Sequence, residues 1–363
     1  MSLQNRKDKA PKTTKIVPKY ALRGYLLLVL LGLNACSDSV TSQMDDYAKR
    51  LERLSGEQRP AVTLLTSPEQ PRVNQLRIHL PELSISFADS FRLNHCRLSQ
   101  LIAERNSSLG KVMSPANQLY YEIDVTHALK ECLAAPVKLS NTLRTDLEQA
   151  LIQKEASLPF AVHNFLTTDE IWRSNFRFGR NNLPLSEADG YTHSLAALSY
   201  FAHTLKLLMA DPHHQDLDLS QWHKHVETLG QARFLSEYWR TLANVPITLA
   251  SLTQLLAVTT KNIPCSNLAR PQEADYLYNV MLNVYIAKLQ PAFARWVHYG
   301  QQLEPVIDEL VSFTQGEAWT NYVQQLNDGK TDALERHTRE HAEQWQALLK
   351  KCRLSPTGYS GNN

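Results

Sequence analysis

Apolar residues recur every three or four positions over most of the chain from about residue 89, and this is the spacing of helices that bury one face. The stretch that begins at Tyr191 is an example, with apolar side chains at Leu195, Leu198, Ala202, Leu205 and Leu208. Comparable patterns predict helices at about 89–105, 114–135, 139–166, 169–178, 191–209, 219–258, 273–289, 291–326 and 332–351.

Several residues at the ends of these patterns are typical helix signals. Ser114 suits an N-cap and Pro115 suits the first helical position, while Thr167 and Glu170 have the spacing of a capping box. Prolines also fall inside long patterns, so we expect bends, breaks or joints at Pro159, Pro246 and Pro305.

A different pattern precedes the first helix. Leu76, Ile78 and Leu80 alternate with polar residues, and the alternation resumes over 83–87. A period of two is typical of extended chain. The two short pieces either pair with each other or lie against the helices.

These patterns predict an all-α fold, a multi-helix bundle with a short extended segment before the first long helix. We expect a single helical domain over 76–353 and a flexible tail over 354–363. Residues 36–75 predict an N-terminal tether, because a short helical piece is followed there by three helix-breaking prolines, Pro60, Pro68 and Pro71.

Composition and charge narrow the function classes. Hydrophobic residues make up 43% of the chain, and Gly occurs only 12 times, which disfavours the many tight turns of an all-β protein. Residues 1–23 carry seven basic side chains and the single acid Asp8, a net charge of +6, and residues 24–35 carry no charge. Because the whole chain has a net charge of +2, the part from Cys36 onward has a net charge of −4. A body with this charge lacks the broad positive field of nucleic-acid-binding proteins, and no nucleic-acid partner is expected.

The start of the chain has the organisation of a secretory signal. The basic stretch is followed by the apolar run Gly24–Leu33, which is half the length of about 20 residues that a membrane-spanning helix needs. Leu33-Asn34-Ala35-Cys36 resembles the lipobox of bacterial lipoproteins, which implies a signal peptide over 1–35 and acylation of Cys36. The alternative is an ordinary signal peptide with a chance cysteine.

By the same resemblance, Ser37 after the cysteine implies export to the outer membrane, where Asp would favour retention in the inner membrane. With Cys36 lipidated, an even number of cysteines remains in an oxidising compartment. Three pairings are possible, and chain topology favours two disulfides, Cys96–Cys132 between consecutive helical segments and Cys265–Cys352 between a loop and the end of the last helix.

Few residues have the spacing of catalytic or metal sites. His213, His214, His223 and His225 cluster with Asp216, but two of them, two residues apart on a helix, would point in directions about 200° apart. His337 and His341 are one helical turn apart, but they lack the glutamate of a zincin motif and predict a solvated helix face. Ser108 and Lys111 match the S-x-x-K motif of penicillin-interacting enzymes, but the partner motifs of those enzymes are missing from the sequence. No catalytic residue, metal ligand or cofactor is predicted.

Two arrangements are candidate binding surfaces. The first is the stretch in which Arg173, Arg177 and Arg180 interleave with Phe176 and Phe178; it can hold an anionic head group, a glycan or a peptide carboxylate, or be a surface connection with buried aromatics.

The second lies in "ERNSSLGKVMSPANQLYYE", which, with Cys96 before it and Cys132 after it, resembles envelope lipoproteins of gammaproteobacteria grouped as domain of unknown function 3080. The resemblance implies no activity but agrees with a lipid anchor. Glu104, Arg105 and Asn106 form either a binding surface or a structural tie for the loop that follows.

The sequence thus predicts a lipoprotein held on the outer membrane by its lipid and facing the periplasm. Without a convergent catalytic set, the leading hypothesis is a non-enzymatic interaction or assembly module with an envelope protein partner. The alternatives are an envelope hydrolase or metal-dependent enzyme at 213–225 and a small-ligand or glycan-binding lipoprotein.

Overall fold

The computed structural model describes residues 39–82, 92–266 and 271–355. The predicted signal peptide and Cys36 lie outside these residues, as do the second extended piece at 83–87 and the tail from residue 356.

The described residues fold almost entirely into helices. In chain order these are α1 (Val40–Ser55), α2 (Val73–Leu76), α3 (Leu98–Asn106), α4 (Pro115–Ala134), α5 (Asn141–Thr168), α6 (Glu170–Asn175), α7 (Tyr191–Ala210), α8 (Trp222–Gln231), α9 (Phe234–Asn262), α10 (Gln272–Val280), α11 (Gln290–Ser312), α12 (Glu317–Asn327) and α13 (Lys330–Cys352). A 3-10 turn at Gly110–Val112 follows α3, and a π-helix at Met281–Leu289 joins α10 to α11. No strand forms in the described ranges, where an isolated bridge joins Ser39 and Pro184. The all-α prediction is confirmed.

The centre of the fold is α9. It packs along α13 and also contacts α1, α6, α7 and α12. Its length and mean hydropathy of 1.4 would allow it to cross a membrane, but 61% of the apolar window is buried inside the protein. Because its apolar side chains are covered by neighbouring helices, α9 is the core helix of the larger of two hydrophobic clusters. The smaller cluster lies between α3, α4 and the first half of α5.

The tether prediction is wrong for the segment that forms α1. Ser39 caps this helix, and Gly56 ends it in the left-handed conformation. One face is buried in the main core, through Val40, Met44, Tyr47, Ala48 and Leu51. These positions follow the helical period, so α1 is held by the burial of apolar side chains and belongs to the folded body.

A long stretch of mostly non-helical chain, interrupted by the single turn α2, follows α1, and we call residues 57–82 the strap. No described residue pairs with it as a strand, and side chains of later helices satisfy several of its backbone groups. Asn164 of α5 accepts from the backbone N–H of Ile78 at 2.8 Å and donates to the backbone oxygen of Ile78 at 2.7 Å. Asn244 of α9 makes the corresponding pair with Leu65, at 2.8 and 3.4 Å. The first extended piece therefore lies against the helices, with Leu76 and Leu80 buried as the alternation predicts.

Most helix positions agree with the predictions, but several boundaries differ. Pro159, Pro246 and Pro305 lie inside continuous helices, so none of them breaks its helix. The long predicted helix at 219–258 is instead interrupted between α8 and α9, at residues 232–233. The first long helix begins at Leu98, after turns over 93–97.

The capping prediction before α6 is also corrected. Its N-cap is Asp169, whose carboxylate accepts from the N–H groups of Ile171 and Trp172. Thr167 remains in the last turn of α5, where its hydroxyl donates to the His163 oxygen. Ser114 caps α4 as predicted.

Both predicted cysteine pairs are joined in the structure. Cys96 and Cys132 have Cα atoms 5.5 Å apart and link the turn before α3 to the end of α4. Cys265 and Cys352, with Cα atoms 5.1 Å apart, link the segment after α9 to the end of α13. The second bridge fastens the last helix to the centre of the fold.

Candidate functional site

A polar cavity of about 410 Å³ lies between α3, α4, α5 and the end of the strap at 77–82. This volume is within the range of small-molecule sites, roughly 300–1,000 Å³. The antiparallel packing of α4 on α5 brings side chains from both helices to the floor of the cavity. The C-terminal end of α3 and the strap form its rim.

The floor contains a buried ion pair. Lys154 Nζ of α5 lies 2.7 Å from Glu122 Oε2 of α4, and their side chains are only 3% and 4% exposed. Lys154 also donates to the backbone oxygen of Pro81 at 2.8 Å. An ammonium group has three N–H donors, so among the described residues one donor of Lys154 remains without a partner. Lys154 also lines the cavity.

The rim is shaped by Arg105 at the end of α3. Its guanidinium donates to the backbone oxygen of Gly110 and lies 6.0 Å from the ring centroid of Tyr121. Burial raises the pKa of Tyr121 to about 12. A Cβ at Gly110 would lie 2.2 Å from the Glu104 oxygen, so only glycine permits this close return of the loop over α3.

The charges around the cavity favour an anion. Its lining includes four cationic side chains, Arg77, Arg105, Lys111 and Lys154, and two carboxylates, Glu82 and Glu122. The lining therefore carries a formal charge of +2, with His79 taken as neutral, on a chain whose total from Cys36 onward is −4. A concave site of opposite sign to the surrounding body concentrates ligands of negative charge.

The predicted binding residues Glu104, Arg105 and Asn106 divide between two roles. Arg105 and Asn106 line the cavity. Arg105 also holds the loop after α3 through its hydrogen bond to Gly110, so it has the predicted structural role in addition to lining the cavity. Glu104 is exposed and accepts from Gln100 Nε2 at 3.1 Å.

The three arginines of the second candidate surface have separate environments. Arg173 donates to the backbone oxygens of Thr167 and Pro71, each at 2.9 Å, and lies 5.7 Å from the ring centroid of Trp319. Burial lowers its pKa. Arg173 therefore joins α6 to the strap, whereas Arg177 and Arg180 are exposed.

The histidines at 213–225 also have separate neighbours. His213 Nε2 lies 2.8 Å from Glu155 Oε1. The ring centroid of His223 lies 4.7 Å from that of Tyr120, and His225 stacks on Tyr200 with centroids 4.4 Å apart.

Within the part of the chain that the structure describes, the group of possible metal ligands that lie close together is His95, Cys96 and Cys132. Both cysteines are in a disulfide, so neither supplies a thiolate to an ion. The structure therefore gives no support to a metal-dependent enzyme at 213–225.

The sequence prediction missed a buried histidine network. His341 was expected on a solvated face, but it is fully buried. Its Nε2 lies 2.7 Å from the Tyr47 hydroxyl and its Nδ1 lies 2.9 Å from Thr253 Oγ1. Desolvation lowers its pKa to about 3. His341 lies seven residues after Leu334 and four before Trp345, which places it on the buried face of α13. This helical spacing is visible in the sequence and could have predicted that His341 is buried.

Among comparisons with known proteins, a protein-family model matches this chain. A family model described as "Protein of unknown function (DUF3080)" matches residues 44–356. No curated protein and no solved structure matches. The matched residues include most of α1, the whole strap and every described side chain of the cavity.

Proposed function

The chain belongs to the DUF3080 family, and from that premise we propose that it is a lipid-anchored binding protein of the bacterial envelope whose cavity takes a small anionic ligand. The observation that carries the proposal is the buried ammonium group of Lys154 at the cavity floor, which has three N–H donors and two hydrogen-bond partners among the described residues. A buried ammonium donor is costly to leave without a partner, and an anionic oxygen supplies one.

The rim extends this chemistry. Arg77 on the strap and Lys111 on the loop after α3 are both exposed and both line the cavity. A ligand with a carboxylate, phosphate or sulfate can therefore meet cationic side chains at the mouth and the Lys154 donor at the floor. The cavity supplies binding groups without an arrangement of nucleophile, base and orienting residue, and for this reason we propose binding without catalysis.

The anchor and location are proposed from the sequence around Cys36. Acylation of Cys36 after removal of residues 1–35 would hold the protein stably on a bilayer. Ser37 supports the outer membrane, with the body facing the periplasm. In a Cys36→Ser variant we expect both acyl-chain labelling and leader removal to be lost, and continued cleavage at the same bond would contradict the proposal.

A second candidate function is contact with an envelope protein partner. The loop after α3 carries two strongly exposed apolar side chains, Leu109 at 82% and Val112 at 76%. The two side chains are three positions apart, and we propose that they form one small apolar patch, the kind of surface feature that marks interaction sites when it is contiguous. A Leu109→Ser/Val112→Ser variant should lose the partner recovered by in-cell crosslinking and keep ligand binding in the cavity.

Ligand binding can be tested by calorimetric titration of the purified protein with inorganic phosphate, glucuronate and succinate as probes. We expect at least one anion to bind, and an Arg77→Gln/Lys111→Gln variant to bind it about 10-fold more weakly or worse, because charge-assisted hydrogen bonds are lost.

The matched control is Arg336→Gln/Arg339→Gln, which also removes two positive charges, both from exposed positions on α13. An equal loss in the control, or no binding of any of the three anions to the natural protein, would contradict a specific anion site in the cavity.

A further inference from the structure

The N-terminal end of α1 identifies the side of the protein that faces the bilayer. We propose that the surface formed by the first turn of α1 and residues 177–187, here called the anchor face, lies against anionic phospholipids, with Arg177 and Arg180 at their phosphate groups. This inference rests on the lipid anchor of the proposed function and is independent of the cavity.

The distance along the chain limits how far the body can lie from its anchor. Cys36 is three residues before Ser39, and consecutive Cα atoms are 3.8 Å apart, so the two Cα atoms are separated by no more than about 11 Å. The helix α1, which begins directly after Ser39, is fixed in the fold because one of its faces is buried in the main core. A lipid on Cys36 therefore holds the first turn of α1 close to the membrane surface.

The loop at 177–187 is directly beside that first turn. Ser39 forms a backbone bridge with Pro184, and the Asn182 side chain donates to Thr41 Oγ1 at 3.1 Å. Lys288 of the π-helix contacts Gln43 one turn further along α1. The anchor face is thus defined by contacts within the folded body.

The loop is held firmly against α9. The backbone N–H of Gly179 donates to the Ser236 oxygen at 2.6 Å, and that of Leu183 donates to Thr241 Oγ1 at 2.7 Å. A Cβ at Gly179 would lie 3.0 Å from the backbone of Glu237, so a larger residue here would push the loop slightly away from α9. The backbone on both sides of the exposed Arg180 therefore has a fixed position.

The charge of this region suits an anionic surface. Residues 177–187 contain two arginines, Arg177 and Arg180, and one acid, Glu187, and the first turn of α1 carries no charged side chain, so the anchor face has a formal charge of +1. Planar guanidinium groups bind phosphate oxygens through paired hydrogen bonds. Each arginine near an anionic membrane favours contact by about five-fold, so Arg177 and Arg180 together should favour the docked orientation by roughly 30-fold.

The test uses the mature lipoprotein extracted from the envelope and reconstituted into phosphatidylcholine vesicles that contain phosphatidylglycerol and a headgroup-labelled acceptor lipid. With Cys36 acylated and the other cysteines paired, an introduced cysteine is the single thiol for a donor dye. Asn181→Cys reports on the anchor face, and Ile152→Cys, 67% exposed on α5, is the control. We expect much stronger energy transfer from residue 181, and equal transfer from both positions would overturn the proposal.

The role of the arginines is tested in the same vesicles. Arg177→Gln/Arg180→Gln in the Asn181→Cys protein should lower the equilibrium constant for docking by roughly 30-fold and reduce the transfer, whereas the control pair Arg336→Gln/Arg339→Gln on α13 should not. Transfer that is unchanged in the first variant, or a protein crosslinked at residue 181 in cells, would overturn contact with lipid phosphates.

Mass spectrometry of the purified protein separates the two proposals. An unmodified Cys36 would overturn the anchor and the anchor face together. An acylated Cys36 with equal transfer at both dye positions would overturn the anchor face and leave the anchor in place.

Discussion

The side chains of Tyr47 and His341 meet in the core at a hydrogen bond of 2.7 Å, although 294 residues separate them in the sequence. The hydroxyl of Thr253 donates to the Leu249 oxygen, so it accepts from Nδ1–H of His341, and Nε2 of the neutral ring accepts from Tyr47. The Trp345 indole N–H donates to the Tyr47 hydroxyl at 2.9 Å. The network joins α1 to α9 and α13.

This network predicts a pH dependence of stability. Burial lowers the pKa of His341 to about 3, and the unfolded chain has its ordinary histidine pKa of about 6.5. Stability is therefore complete above pH 6.5 and declines as the pH falls towards 3, because the unfolded state takes up the proton first. Between pH 7.5 and 5 we expect this residue to remove about 2 kcal/mol from the free energy of unfolding, measured by urea denaturation.

The comparison protein is His341→Gln, which is less stable at pH 7.5 but lacks this proton uptake. The lowered pKa values of His163 and His225 act in the same direction in both proteins, so the difference between them isolates His341. Parallel stability profiles of the two proteins would show that His341 does not titrate on unfolding.

The buried ion pair predicts an asymmetry between single and double substitutions. Lys154→Met leaves the Glu122 carboxylate buried without a counter-charge and should cost about 3–5 kcal/mol of unfolding free energy. Lys154→Met/Glu122→Leu removes both charges and should recover most of this loss. Thermal denaturation of both variants checks this expectation. If the double variant is less stable than Lys154→Met, the ion pair stabilises the fold by more than the cost of burying its two charges.

The Asn164 contact with Ile78 predicts local opening of the strap. Asn164→Leu removes both partners of the Ile78 backbone and should increase hydrogen exchange at the Ile78 amide and proteolytic cleavage within 77–82. Asn117→Leu, at an exposed position on α4, is the control. Unchanged exchange at Ile78 in the first variant would mean that burial of Leu76 and Leu80 alone holds this part of the strap.

The two disulfides predict distinct peptides under non-reducing digestion, Cys96 linked to Cys132 and Cys265 linked to Cys352. A Cys265→Ser/Cys352→Ser variant should lose about 2–4 kcal/mol, because its unfolded chain is less restricted. A peptide that links Cys96 to Cys265 or to Cys352 would contradict the pairing.

Local patterns predicted much of this fold. The periodicity of Leu195 to Leu208 located α7, and Ser114 with Pro115 located the start of α4, since amphipathic spacing and caps act within a few residues. The disulfide pairs followed from the order of helices. Arg105 and Asn106 were identified as candidates, and both line the cavity.

Features that depend on distant partners were not predictable in this way. Nothing near Lys154 indicates that Glu122 and Pro81 surround its ammonium group, because the partners come from another helix and from the strap. Likewise, the prolines after α1 suggested a tether, whereas Asn164 and Asn244 hold that chain from more than 80 residues away. The cavity arises from these long-range contacts.

The position of α1 has a consequence for the order of folding. Tyr47 is among the first described residues to be synthesised, yet Thr253, His341 and Trp345, which complete its surroundings, come at least 200 residues later. Contacts between such distant parts of a chain carry a large entropic cost of loop closure and form late. The amino-terminal helix must therefore remain unplaced until almost the whole polypeptide is available, and premature chain termination before α13 should leave its apolar face exposed to aggregation.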